Sequence, residues 1–296
     1  MVAAMIEGLL STPTLVTFGM FVGVGFVAQL VDGALGMAYG TLSSTFLLGL
    51  GIPPAAASAA IHAAEVVTTG ASGASHIAHK NVDTNLLWRL APAGIVGGVL
   101  GAYVLTGLDE TLLKAAVSIY LGILGGLILG RALLGRFGQG PQPKRLVPLG
   151  LAGGFLDASG GGGWGPVVTT QLLSGGHAPR MVIGTVNTAE FFVTMAISAT
   201  FAWALVTGRL EIAGGLTFFA SVVGGLILGG ILAAPLAGKI TKVAPARALM
   251  GAVGFVVIGL STWRFVQVWP ALENDATLAM LAERATLLSA AFAGTP

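Results

Sequence analysis

The chain has 296 residues, of which 55% are hydrophobic and only 9% are charged, and its mean hydropathy is +0.90. Soluble domains carry about 25% charged residues, so this composition excludes a soluble protein and predicts an integral membrane protein. The net charge of +2 does not require an anionic macromolecular partner, because basic cytoplasmic loops give the same balance.

Ten apolar segments follow in chain order, at 14–31, 34–50, 55–78, 87–107, 112–134, 147–157, 162–175, 181–206, 212–235 and 247–268. Several reach the ~20 residues that a helix needs to cross a bilayer, so we expect an all-α, polytopic transmembrane helical bundle. No basic residue precedes the first apolar run, and Glu7 does, which argues against a cleaved signal peptide.

One basic stretch, 131–145, contains two prolines and no acidic residue, and its charge places it in the cytoplasm. We therefore divide the chain into a first repeat (1–134), a linker (135–146), a second repeat (147–269) and a tail (270–296). The tail is predicted to be a short amphipathic surface helix.

The two sides of the linker are related in sequence. Residues 32–69 align without a gap on 157–194 and share eleven identities in 38 positions, more than this biased composition gives by chance. The motif VGGVLGA (96–102) resembles VGGLILGG (223–230), which extends the relation. These matches predict duplicated halves.

Each half holds five segments, so the second copy is expected to enter the membrane from the opposite side. Loop charges agree, because loops 79–86 and 237–247 and the loop around His177 are basic, whereas loop 108–111 is acidic. The prediction is a pair of inverted repeats, as in many secondary transporters, with both termini extracytoplasmic.

Four acidic residues lie within or directly beside apolar segments and form two repeat-related pairs, Asp32 with Asp157 and Glu65 with Glu190. An ionisable group inside a span costs about 2.5–3.5 kcal/mol on insertion scales, so each needs a partner or a task. We interpret all four as candidates for capping broken helices or for proton coupling. For the two glutamates, substrate contact is a third alternative.

The glutamates lie in polar stripes on otherwise apolar helices. The residues of each stripe share one helical face, which should point into the protein. The stripes consist of Ser58, His62, Glu65 and Thr69 in the first half and Asn187, Glu190 and Thr194 in the second.

The stretch DASGGGGWGP (157–166) has four consecutive glycines. Each glycine costs about 1 kcal/mol relative to alanine in a continuous helix, so we predict a break, with Pro166 in the first turn of the following helix. A helix that begins at mid-membrane turns its free N–H groups inward and could hold an anion without Lys or Arg. The candidate substrate-binding residues are Gly36, Tyr39, Gly40, His62, Glu65, Gly160, Gly161, Gly162, Gly163, Trp164, Gly165, Asn187 and Glu190.

Several other site types are not expected. No histidine–acid pair recurs in both halves, so no metal site is predicted, and no cofactor is expected. No Lys-Ser/Thr follows the glycines, which argues against nucleotide binding, and no feature indicates a nucleic-acid partner.

The box 157–166, its degenerate copy DGALGMAYGTLSS (32–44), the VGG motifs and the duplication resemble the TauE/SafE family of sulfite and organosulfonate exporters, over about residues 15–268. The resemblance implies a multi-pass permease of the bacterial inner (cell) membrane that moves small sulfur-containing anions such as sulfite, sulfoacetate or thiosulfate. It also implies that the two Gly-rich boxes meet near the centre. The first box lacks the glycine run and the proline, so an unequal contribution of the halves is an alternative.

The favoured hypothesis is a secondary transporter, by resemblance an exporter, whose substrate is a small anion and whose candidate coupling ion is the proton. Import and export would use the same architecture. An anion channel is the alternative, and an intramembrane enzyme or assembly factor is a weaker one, because no nucleophile–base pair is recognisable.

Overall fold

The computed structural model describes residues 12–35, 37–134, 145–174, 179–212, 214–243 and 246–273, so Gly36, most of the basic linker, His177 and the predicted tail helix lie outside the described residues. Within these ranges the chain forms helices and no strand. The helices are α1 (Thr12–Leu35), α2 (Tyr39–Gly49), α3 (Pro54–Ala78), α4 (Thr84–Leu105), α5 (Glu110–Leu134), α6 (Leu146–Gly160), a π-helical turn (Trp164–Thr169), α7 (Thr170–Ser174), α8 (Pro179–Val206), α9 (Gly215–Val243) and α10 (Ala246–Glu273).

The described part of the chain has 6 helices long and apolar enough to cross a membrane, which confirms the polytopic helical bundle. Helix α3 has 25 residues and is also long enough, but its polar stripe makes it less apolar than the others. The six candidate spans are Leu15–Asp32, Thr84–Leu105, Glu110–Leu134, Arg180–Val206, Gly215–Leu236 and Met250–Glu273.

The helical segments that follow Asp32 and Asp157 are short. Helix α2 has 11 residues, and in the second half a 6-residue π-helical turn continues into the 5 residues of α7. At 1.5 Å per residue each segment rises about 16 Å, roughly half of the hydrocarbon thickness. The predicted apolar segments 34–50 and 162–175 are therefore too short to span, and broken helices lie at both Gly-rich boxes.

Helices of the first half pack mainly on helices of the second. The principal pairs are α1 with α9, α4 with α6, α3 with α8 and α5 with α10. The predicted duplication matches α1 to α6, α3 to α8, α4 to α9 and α5 to α10. Under this match the pair α1–α9 becomes the pair α6–α4 and the reverse, whereas the pairs α3–α8 and α5–α10 map onto themselves. A two-fold relation between the halves would produce this pattern, while their opposite orientation in the membrane stays a prediction.

Two of these contacts depend on glycine. A Cβ atom at Gly97 would overlap the backbone of Leu151, and one at Gly154 would overlap the backbone of Gly94, so α4 and α6 touch backbone to backbone. In the pair α1–α9, a Cβ atom at Gly229 would overlap the backbone of Val22. Small residues allow such close approach of helices in membranes, where packing must replace the hydrophobic effect.

We predict that Gly154→Ala destabilises the protein by about 1–3 kcal/mol, because the added methyl group has no space against α4. Gly126 is the matched control: it lies in α5, and a Cβ atom there would meet nothing within 4 Å. Gly126→Ala should leave stability unchanged or raise it by up to about 1 kcal/mol. Apparent melting temperatures in detergent measure the difference, and equal values for both variants would contradict the proposed close contact.

Candidate functional site

The two Gly-rich boxes meet inside the bundle. The Thr41 hydroxyl donates to the backbone oxygen of Gly162 at 2.9 Å. A Cβ atom at Gly40 would overlap the backbone of Gly161, and one at Gly162 would overlap the backbone of Thr41. Any side chain at Gly40 or Gly162 would push the two chain breaks apart, so glycine is required here for contact.

Asp157 organises the second break. Its Oδ1 accepts the N–H groups of Gly163 at 2.7 Å and Trp164 at 2.9 Å, where the π-helical turn begins. Gly161 ends α6 with a φ of +67° and donates its N–H to the Asp157 backbone oxygen, which is the usual left-handed glycine end of a helix. One residue thus satisfies backbone groups on both sides of the break.

Asp32 holds the equivalent place in the first break. Its Oδ1 accepts the N–H of Tyr39 at 3.3 Å, seven residues further on, the same spacing that separates Asp157 from Trp164. Ala38 precedes α2 with a φ of 107°, a conformation that normally favours glycine. The first box therefore turns in a similar way without the glycine run.

His62 joins α3 to the second break. Its Nε2 lies 3.3 Å from Asp157 Oδ2, and its Nδ1 lies 2.8 Å from the backbone oxygen of Ser58. The Ser58 hydroxyl donates to the backbone oxygen of Ala158 at 2.6 Å. His62 is fully buried and Asp157 is 3% exposed, so these bonds lie inside the protein.

A polar cavity lies between the two breaks and helices α1, α3 and α8. The centre of a water molecule can reach about 40 Å³ of it, enough space for a few waters. The lining residues are Gln29, Asp32, Met37, Ala38, Tyr39, Gly40, Thr41, Glu65, Thr68, Thr69, Ser72, Asp157, Gly162, Gly165, Pro166, Asn187 and Glu190.

The cavity wall is acidic. Four carboxyl groups line it, from Asp32, Glu65, Asp157 and Glu190, whereas none of the lining residues is Lys or Arg. Glu65 is 4% exposed, and its Oε2 has no hydrogen-bond partner among the described residues.

Comparison with known proteins agrees with this architecture. The family model "Sulfite exporter TauE/SafE" matches residues 21–264. The chain belongs to the TauE/SafE family. A relative from Bacillus subtilis (strain 168), described as "Probable membrane transporter protein YtnM", is 41% identical over 260 residues, which cover 84% of this chain and 83% of the relative. No solved structure matches the chain significantly.

Membership in the TauE/SafE family identifies a multi-pass membrane protein and points to a transporter rather than an enzyme. A bacterial inner membrane is consistent with the relative and with the apolar helices. The Gly-rich boxes, which carry the resemblance to the family, are the segments that meet at the cavity.

The cavity brings together only part of the predicted site. Tyr39, Gly40, Glu65, Gly162, Gly165, Asn187 and Glu190 line it, as do both aspartates. The structure places His62, Gly160, Gly161, Gly163 and Trp164 behind the wall. Trp164 is fully buried and donates its indole N–H to the backbone oxygen of Val186, while the ring of Tyr120 packs against Gly160.

Other lining residues were missed by the sequence reasoning, above all Gln29, Thr41, Thr68 and Ser72. Ser72 lies three residues beyond Thr69, so extending the polar stripe by one helical turn would have found it. Gln29 is a polar residue within a candidate span, one turn before Asp32. The first box contributes five consecutive lining residues, 37–41, despite its lack of a glycine run.

One group of side chains raises the question of a metal ion. The ligand atoms of His62, Glu65 and Asp157 lie within 4.8 Å of one another. His62 and Asp157 already face each other at hydrogen-bonding distance, and Asp157 Oδ1 already accepts two N–H groups. We therefore assign these residues as a hydrogen-bonded cluster and not as metal ligands, and the expectation of no metal stays a prediction.

We predict that Asp157→Ala lowers stability by about 0.5–2 kcal/mol, the usual range for loss of a helix cap, because the N–H groups of Gly163 and Trp164 lose their acceptor. Asp157→Asn is the matched variant, since its amide oxygen can still accept both N–H groups. It should melt close to the wild type. Equal destabilisation by both substitutions, measured as apparent melting temperature in detergent, would show that capping is not the contribution of Asp157.

Proposed function

We propose that this protein is a secondary transporter of a small sulfur-containing anion, such as sulfite or sulfoacetate, and works by alternating exposure of the cavity between the two breaks. The observation that carries the proposal is a polar cavity where two interrupted helices meet inside an apolar bundle. Irregular backbone at membrane depth is tolerated where it lines a cavity, and transporter sites are commonly built this way.

Side chains supply most of the donors for the proposed anion. The N–H groups of Gly163 and Trp164, expected to face the anion, instead donate to Asp157. Gln29, Asn187 and Ser72 place two side-chain amides and a hydroxyl on the cavity wall. The hydroxyls of Thr41, Thr68 and Thr69 donate to backbone oxygens and would have to turn to reach the anion. Hydrogen bonds to a charged group contribute about 1.5–3 kcal/mol each, so a few of them can replace a basic residue.

The acidic wall sets a condition on this function. An anion about 4 Å from one ionised carboxylate is repelled by about 4 kcal/mol at an effective dielectric constant of 20. Four ionised carboxyl groups would therefore exclude it. We infer that the anion binds together with protons that neutralise part of the wall, which makes the proton the coupling ion of the proposed transporter.

We predict that Thr69→Val lowers the rate of anion transport about tenfold or more, because the Thr69 hydroxyl would turn from the Glu65 carbonyl to the anion and valine has no hydrogen to donate. Thr200→Val is the control: both hydroxyls donate to the carbonyl four residues earlier, that of Glu65 for Thr69 and that of Ala196 for Thr200. Only Thr69 lines the cavity. Uptake of labelled sulfite, sulfoacetate, taurine and thiosulfate into proteoliposomes is the measurement.

Two results of this assay would contradict the proposal. If none of these substrates is transported by the wild-type protein, the assigned substrate class is wrong. If Thr69→Val transports as well as Thr200→Val, the cavity is not the substrate site. Flux that fails to saturate with substrate concentration would indicate a channel instead.

We further predict that Glu65→Gln and Glu190→Gln weaken the dependence of KM on pH. In the wild type KM should rise at alkaline pH, because deprotonation adds negative charge beside the anion, and glutamine cannot acquire that charge. Glu211→Gln changes an exposed residue between α8 and α9 and should keep the wild-type profile. An unchanged KM profile in both cavity variants would show that these glutamates do not interact with the substrate.

A further inference from the structure

The hydrogen-bond partners of His62 and Asp157 determine which of their side-chain atoms carry a hydrogen. His62 Nδ1 lies 2.8 Å from the Ser58 backbone oxygen. It also lies 3.2 Å from the Ser58 hydroxyl oxygen, whose hydrogen goes to the Ala158 carbonyl, so this hydroxyl does not donate to Nδ1. A carbonyl oxygen can only accept, so Nδ1 must carry a hydrogen. The opposite nitrogen, Nε2, faces Asp157 Oδ2 at 3.3 Å.

A hydrogen must also lie between these two atoms. A neutral imidazole with its hydrogen on Nδ1 has a lone pair at Nε2, and an ionised carboxylate offers only lone pairs. The contact is attractive only if one hydrogen is shared, either as imidazolium and carboxylate or as imidazole and carboxylic acid. In both forms the pair has no net charge, and loss of that hydrogen as a proton leaves one negative charge on Asp157.

We propose that the His62–Asp157 pair is a proton-binding site through which a proton gradient drives the transport cycle; this inference rests on the proposed transport function. Asp157 lines the cavity, so the shared proton can pass between the pair and water in the cavity. His62 is 0% exposed and does not line the cavity, and its Nε2 faces the Asp157 carboxyl group, which does.

The same carboxyl group links proton binding to the shape of the cavity. Asp157 Oδ2 faces His62, while Oδ1 holds the N–H groups of Gly163 and Trp164. Loss of the shared proton sets two lone pairs against each other and displaces the carboxylate from His62. The break moves with it, and this break supplies Gly162 and Gly165 to the cavity wall.

Other titratable groups surround the pair and will influence it. Glu65 lies on α3, the helix that carries His62. Glu190 lies on α8 and Tyr120 on α5, and Asp32 and Tyr39 flank the first break. Electrostatic interactions connect Asp157 with Glu65, Glu190 and Tyr120, and connect Asp32 and Tyr39 with Glu65. Helix α9 also packs on α3, and its residues 215–236 include no titratable side chain. Among the described residues, His62 is the basic side chain that contacts Asp157.

The second half has no equivalent pair. The position that aligns with His62 is Asn187, whose amide donates to the Ser72 hydroxyl at 3.0 Å. Asparagine has no titratable proton, so the duplicated site binds a coupling proton in one half only. This difference also provides a conservative substitution, His62→Asn, that the fold already accommodates at the related position.

The test uses purified full-length protein in liposomes with labelled sulfoacetate, whose charge is constant near neutral pH. In the wild type, an imposed pH difference should drive accumulation by about tenfold per pH unit for each coupled proton. His62→Asn and Asp157→Asn should still exchange labelled for unlabelled sulfoacetate but should show no accumulation with the pH difference. Thr200→Val changes a residue that does not line the cavity, so it should accumulate substrate as the wild type does.

Several outcomes would overturn the proposal. If His62→Asn accumulates sulfoacetate as the wild type does, the pair is not the coupling site. If exchange and accumulation both fall to the same extent in His62→Asn and Asp157→Asn, the pair has only a structural role. Stoichiometric zinc in the purified protein, lost in His62→Asn, would make the cluster a metal site.

If the wild type moves none of the tested substrates, the proposed function fails while the hydrogen assignment stays testable. Nitrogen NMR of the labelled histidines, with His62→Asn for assignment, should show a hydrogen on Nδ1. A bare Nδ1 would overturn the proposal.

Discussion

The need to satisfy backbone polar groups away from water governs the centre of this protein. A helix that ends within the bilayer leaves N–H and C=O groups that lipid cannot bond, at a cost of several kcal/mol each. Asp157 accepts two of these N–H groups, and Thr41 donates to the carbonyl of Gly162 in the opposite box. The second break is therefore satisfied partly by its own aspartate and partly by the first box, and the cavity lies where the two boxes meet.

Close helix packing follows from the same arrangement. The α4–α6 contact brings Gly94 against Gly154 backbone to backbone, and the neighbouring Trp164 ring lies against Gly94 and Gly153. A larger residue at Gly94 would displace the indole and, with it, the start of the π-helical turn. Gly94 thus contributes to the position of the π-helical turn as well as to the joining of two helices.

Much of this could be predicted from the sequence, because the relevant signals are local. The glycine run and Pro166 predicted a break, and the internal alignment paired Asp32 with Asp157. The depth of individual side chains could not be predicted, because it depends on which helix packs against each face. His62 and Glu65 share one polar stripe, yet only Glu65 lines the cavity, since His62 meets the end of α6. Likewise, the bare amides expected at Gly163 already bond the aspartate that precedes them.

The duplicated halves have diverged in a way that the physical chemistry explains. In the second box Trp164 turns away from the cavity and bonds Val186, and the break depends on Asp157 with its partner His62. In the first box Tyr39 lines the cavity and donates to the Leu226 backbone oxygen, and Asp32 accepts a single N–H group at its break. The first box thus supplies more of the lining residues than the second box, whereas the second holds the more extensive hydrogen-bond network. The proposed transport cycle requires both a surface that receives substrate and an element whose bonding can change, and the two boxes differ in this way.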